Sequence, residues 1–156
     1  MISLTVDLNN TLSVLQHFAD DSILQRAANA AAESWNDDVL DWIGSGQSFT
    51  PRNGGGLEQS ISWHGNGDGS ATVYTQKEYA NYVEKGTGEF IGHSAWVIKP
   101  KEGRKALKIP MAGGFILRRA VTHHGSRPFP FMFADVPART EHMKQKILSV
   151  LMRAYV

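Results

Sequence analysis

Apolar and polar residues alternate over residues 2–8, ISLTVDL, and the alternation stops at Asn9-Asn10. This predicts a short strand that ends at a helix N-cap. Leu12, Leu15 and Phe18 then recur at helical spacing. Asp20, Asp21 and Ser22 are placed to cap a second, longer helix. Its stripe of Leu24, Ala28, Ala31, Trp35, Val39 and Trp42 follows the 3.6-residue period. Ala27, Ala28, Ala30, Ala31 and Ala32 favour helix and let a neighbour approach closely. Gly44 is expected to end it. Trp35 and Trp42 read as core, with a subunit contact as the alternative.

The periodicity then shortens. Residues 44–56, GSGQSFTPRNGGG, form a Gly-rich loop that a partner could order. LEQSISWH (57–64) reads as a strand, or as a short helix running into one. GNGDG (65–69) has the composition of a hairpin turn, and SATVYTQ is the returning strand. YANYVEKGTGEF (79–90) predicts another strand, packed through Tyr79, Tyr82 and Val83, with a sharp turn at Gly86 and Gly88. Glu84 is placed either to bond backbone amides of that turn or to meet a basic group on a neighbouring subunit. SAWVIKP and KALKIPM are two short strands, and residues 113–125, GGFILRRAVTHHG, offer one more. Of Phe129, Phe131 and Phe133 at least one is expected in the core. Residues 138–155 read as a helix with Pro137 near its first turn and a stripe of Met143, Ile147, Val150 and Ala154.

The predicted fold is α+β: a mainly antiparallel sheet of short strands, with a long helix in the N-terminal half and a C-terminal helix packed on it. The expectation is one domain over residues 1–156. It comprises a strand and helices over 1–43, a Gly-rich loop over 44–56, a sheet region over 57–133 and a helix over about 137–155.

Composition narrows the class. With 42% hydrophobic and 20% charged residues, the 156-residue chain can build a core, which argues against disorder. The N-terminus lacks the basic start of a secretory signal, and no apolar run approaches the roughly 20 residues of a membrane helix. There is no cysteine, which rules out disulfides, a thiolate nucleophile and Cys-type zinc sites. A cytoplasmic product is the simplest reading.

The net charge is only +1, but residues 1–45 carry −6 and residues 99–119 carry +6. Two solvated faces are the plainest account of this. A sharper one is a pair of complementary surfaces that meet between identical subunits. It would place Asp37, Asp38 and Asp41 opposite Lys101, Arg104, Lys105, Arg118 and Arg119. A third is a basic loop beside nucleic acid.

Candidate chemistry is sparse. GHSAW (92–96) lacks the second glycine of a hydrolase nucleophile elbow. GTGEFIG (86–92) lacks the lysine of a phosphate loop. His123 and His124 are adjacent, so on a strand their side chains face opposite ways and do not readily share an ion. No catalytic, cofactor-binding or metal-binding residues are assigned, and no cofactor is expected. The basic stretch Lys99–Lys108 has no interleaved aromatics, so a stacking platform for single strands is unsupported.

The order of several segments carries more than any one of them. Gly55, Leu57, Ser60 and Ile61 are followed by Tyr79, Ala80, Tyr82, Val83, Glu84, Gly86 and Thr87, then by Gly125, Arg127, Pro128 and Phe129, and then by a last helix. This series resembles the small neck and tail-completion (head–tail joining) proteins of long-tailed bacteriophages and prophages, over roughly residues 54–151. The resemblance implies a structural virion protein and not an enzyme, assembled in the host cytoplasm. It implies a homo-oligomeric ring, hexameric by expectation, between a portal, adaptor or head-closure protein and the tail-tube protein. Genome DNA would pass through the lumen without sequence readout. Two other classes stay in view. One is a small hydrolase using Ser94, His123 or His124, and the other is a sequence-independent DNA-binding module.

Overall fold

The structure is a computed structural model that describes residues 2–7, 20–50 and 56–154. The expected helix over Leu12, Leu15 and Phe18, the Asn9-Asn10 cap, Gly55 and part of the Gly-rich loop lie outside these residues. The chain divides into two compact units, residues 1–84 with 129–156, and residues 85–128.

The first unit begins with β1 (Ile2–Asp7) and then α1 (Asp21–Gly44). Asp20 caps α1, its carboxylate accepting from the Ser22 amide at 3.2 Å and the Ser22 hydroxyl at 3.0 Å. Gly44 is the last helical residue, and the left-handed turn falls two residues later at Gly46 (φ 73°). A 3-10 turn over Glu58–Ser60 leads into β2 (Ile61–Gly65), and a hairpin returns as β3 (Ser70–Thr75). The sheet order is β1-β3-β2, all antiparallel, with Ile2 and Ile61 both opposite Thr75. The long β1-to-β3 connection thus places the first strand beside the third.

α1 is the centre of this unit. Its buried residues run from Leu24 through Ala27, Ala28, Ala31, Ala32, Trp35 and Val39 to Ile43. That face is too wide for a helix covered on one side, and α1 indeed packs on β2 and β3 and also on α3 (Val136–Ala154). The alanines, fully buried, leave room for both neighbours. The layers are sheet, α1, α3, with Met143, Ile147, Val150 and Leu151 of α3 packed against the core. Gln25 ties α1 to the β2–β3 turn: its Nε2 donates to the Ser70 carbonyl at 2.9 Å and its Oε1 accepts from the Gly69 amide at 3.1 Å.

The α+β class holds, but one expected strand is a helix. Residues 80–85 form α2 (Ala80–Lys85). Ala80 and Glu84 are buried and Val83 packs on the core, the i, i+3, i+4 spacing of one helical face. Tyr79 and Tyr82, expected to pack a sheet, are exposed. Closely spaced apolar residues over so short a run do not separate the two periods.

The second unit opens on a 3-10 turn over Gly88–Ile91, closed by Gly92 in the left-handed region (φ 80°). It holds β4 (Trp96–Ile98), β5 (Leu107–Met111), β6 (Gly114–Arg118) and β7 (Val121–His123). The stretch read as one strand over 113–125 is therefore two, β6 and β7, in different ladders. β4 pairs with β7 and β5 with β6, both antiparallel.

Candidate functional site

A densely bonded, buried part of the first unit lies where α2, α3 and residues 129–135 meet. The Glu84 carboxylate accepts three consecutive backbone amides, Phe131 at 2.8 Å, Met132 at 2.9 Å and Phe133 at 3.1 Å. Successive N–H groups that converge in this way form an anion-binding nest, and here a side chain of the same protein fills it. The carbonyls of the same peptides point to Arg139. Its Nη1 donates to Phe131 at 2.7 Å and to Met132 at 3.0 Å, and Trp35 Nε1 adds a bond to Met132 at 3.1 Å. Two further bonds hold the entry to this segment: the Phe129 amide donates to Val83 O at 2.8 Å, and Ser48 Oγ donates to Phe129 O at 3.0 Å.

Burial pushes the Arg139 guanidinium below its ordinary pKa, and the charges of Asp38, Glu84 and Asp135 oppose that shift. An arginine stays protonated under such conditions. Its carbon lies 5.8 Å from both the Trp35 and the Trp42 ring centroids. Among the described residues, Arg139 Nη2 and Trp42 Nε1 are buried without a hydrogen-bond partner. Arg139 stands four residues before Met143 on the apolar stripe of α3, and a charge on that stripe was the sequence signal for it. Glu84, one helical turn after buried Ala80, carried the same kind of signal. It does bond backbone amides, but those of residues 131–133.

With both oxygens holding amides, Glu84 is built to hold backbone. Phe131, wholly buried, packs edge-on against Phe49 at 5.6 Å, whereas Phe129 and Phe133 are exposed. Leu57 and Ile61 are core residues, and Ser60 Oγ bonds both Leu57 O and Thr75 Oγ1 at 2.7 Å.

In the second unit, the turn at Gly86–Gly88 locks onto residues 124–126. Thr87 N donates to Ser126 O and Ser126 N to Thr87 Oγ1, both at 2.9 Å, and Glu89 N donates to His124 O at 2.8 Å. A Cβ on Gly88 would lie 2.5 Å from His124 O, and one on Gly125 would strike the Thr87 carbonyl. Both glycines also have positive φ, 63° and 108°. Arg127 and Pro128 are exposed beyond this lock.

The histidines and Ser94 do not converge. His123 stacks on Trp96 at 4.6 Å and its Nδ1 accepts from the Gly125 amide, while His124 Nδ1 faces Glu89 at 3.1 Å. Ser94 is exposed and bonds neither ring. In α1, Asp37 and Asp41 are exposed, and Asp38 is half-buried with both oxygens 3.1 Å from His142 Nδ1. Lys101, Arg104, Lys105, Arg118 and Arg119 are all exposed, and none takes part in an ion pair among the described residues.

The family model described as "Bacteriophage HK97-gp10, putative tail-component" matches residues 7–86, just over half of the chain. No curated protein and no solved structure is significantly similar to the chain.

Proposed function

Because the chain belongs to the HK97-gp10-like family of bacteriophage tail components, we propose that it is a structural neck protein. In this reading it completes the tail and joins it to the capsid as a ring of identical subunits. The matched segment ends at residue 86, and the similar segment order continues to the last helix. The observation that carries the reading is the number of large apolar side chains that one chain leaves exposed. Tyr82, Phe90, Ile91, Val97, Phe115, Leu117, Leu148 and Met152 are all exposed. Apolar side chains that gather on one exposed face mark contact with other proteins, and Phe115 and Leu117 gather in this way on one ladder, as expected of a subunit that works only in an assembly.

A ring requires a heterologous interface, in which one surface of a subunit meets a different surface of the next. The opposite charges of residues 1–45 and 99–119 fit that requirement. Six subunits, a portal-side protein on one face, the tail-tube protein on the other and DNA in the lumen complete the proposal. The protein would be built in the host cytoplasm and reside in the virion. No helix among the described residues is long and apolar enough to cross a membrane.

The test is deletion of the gene from the phage or prophage. Filled heads and separate tails that join when the protein is added back are expected. Normal infectious particles from the deletion strain would overturn the proposal.

A further inference from the structure

The β5–β6 hairpin is an apolar ribbon on both sides. Its register pairs Lys108 with Leu117, Ile109 with Ile116 and Pro110 with Phe115. Side chains alternate across the ribbon, so Ile109 and Ile116 share one face and Phe115 and Leu117 the other. Strands apolar on both faces are normally covered on both. Here Met111 is 57% exposed, Phe115 54% and Leu117 62%. A two-stranded ribbon alone is marginal in water, and among the described residues this one pairs with no third strand. Pro110 offers no N–H at the β5 edge, which disfavours strand addition there. The faces, then, are what a partner would cover.

Charge selects the partner. Lys108 sits over the Phe115 ring at 4.0 Å, and Lys105, Arg118 and Arg119 flank the ribbon, all exposed. Nucleic acid would answer the cations but not the apolar faces. A protein surface that is both acidic and apolar answers both, and the chain carries one. Glu33, Asp37 and Asp41 are exposed at four-residue spacing along α1. Like charges so placed repel, and the described residues lining the hollow beside Asp37 include one lysine, Lys146, and His142. Over eight residues the row spans about 12 Å, against about 17 Å for five strand residues. α3, packed on α1, exposes Leu148 and Met152.

We propose that the β5–β6 hairpin is an assembly arm that seats its Phe115–Leu117 face on the acidic α1–α3 surface of a second copy of this chain. The inference rests on the ring reading above and names the contact that builds the ring. The arm and its seat are different surfaces, so each subunit offers one of each and the contact propagates around the ring.

The test uses the full chain in sedimentation velocity over a wide concentration range, with circular dichroism to verify folding. The wild type is expected to self-associate. The double variant Phe115→Glu/Leu117→Glu, altered only at exposed positions, is expected to stay folded and to weaken association at least tenfold. Lys105→Glu/Lys108→Glu and Asp37→Lys/Asp41→Lys are each expected to weaken it as well, and their equimolar mixture to regain it. Wild-type-like association of a folded Phe115→Glu/Leu117→Glu chain would overturn the arm and leave the ring reading standing. A wild type that is monomeric at every concentration, alone and with tail-tube protein, would overturn both. Unchanged self-association with lost DNA binding in Lys105→Glu/Lys108→Glu would assign the hairpin to nucleic acid and also overturn the arm.

Discussion

Glu84 and Arg139 hold the same peptides from opposite sides. The carboxylate takes the amides of residues 131–133, and the guanidinium donates to the carbonyls of Phe131 and Met132. Neither needs the other as a direct ion-pair partner, since the peptides between them carry the polarity. Phe131 and Met132 can therefore be wholly buried without leaving their backbone groups unpaired, a condition that buried peptide must meet.

Removing the anion should cost more than any surface change. Glu84→Ala is expected to lower unfolding stability by about 3–5 kcal/mol, the range for stripping one partner from a buried charged network. Glu84→Gln keeps one acceptor and should cost less, about 1–3 kcal/mol. Urea unfolding of both variants measures this. Equal, small effects would show that the nest does not need its anion.

The two residues should not act independently. Arg139→Lys replaces the planar guanidinium whose Nη1 donates to two carbonyls and is expected to cost about 1–3 kcal/mol. In a double-mutant cycle, Glu84→Gln and Arg139→Lys should depart from additivity by at least about 0.5 kcal/mol, because they share peptides. Strict additivity would contradict the clamp.

The lock in the second unit should fail locally. Gly125→Ala puts a methyl group against the Thr87 carbonyl at a φ that favours glycine, with an expected cost of about 1–3 kcal/mol. Faster hydrogen exchange and protease cutting within residues 85–128 are expected, with less change in α1. A variant protected like the wild type would show that the backbone can shift freely there.

Acid should weaken the start of α1. The Ser22 amide and hydroxyl hold the Asp20 carboxyl below its ordinary pKa. Its contribution is therefore full above the unfolded value, about pH 4, and is lost as pH falls through the folded one. Asp20→Asn keeps a capping oxygen without the titration. The gap in melting temperature between wild type and Asp20→Asn should be constant from pH 5 to 7 and shrink below about pH 4. A gap independent of pH would reject this.

Two aromatic side chains of the first unit should behave in opposite ways. Tyr82 is 59% exposed, so Tyr82→Ala is expected to stay within about 0.5 kcal/mol of wild type. Phe131→Ala empties a closed site and should cost about 3–5 kcal/mol. Thermal unfolding distinguishes them, and a Tyr82→Ala loss above about 2 kcal/mol would mean that its ring packs.

Local pattern was sufficient wherever a period ran long enough to repeat. The alanine-rich stripe of α1, its Asp20 cap, the 66–69 hairpin turn and the stripe of α3 were all legible, because each depends on neighbours within a few residues. The α+β class followed from their order. The stretch 79–90 reads as strand in sequence, because a single turn of helix and a short strand place apolar residues too similarly to separate. Only the tertiary fold decided what Glu84 does. Its partners lie 47 to 49 residues away, and nothing within the 79–90 stretch specifies an amide nest at 131–133. Arg139 differs: its charge sits on an apolar stripe, and the carbonyls that justify it lie only 7 and 8 residues away, but their direction is set by the fold of residues 131–133 around Glu84. Periodicity is a local property that the chain carries in its order, whereas the pairing of a buried charge is a long-range one that appears only when the chain has folded.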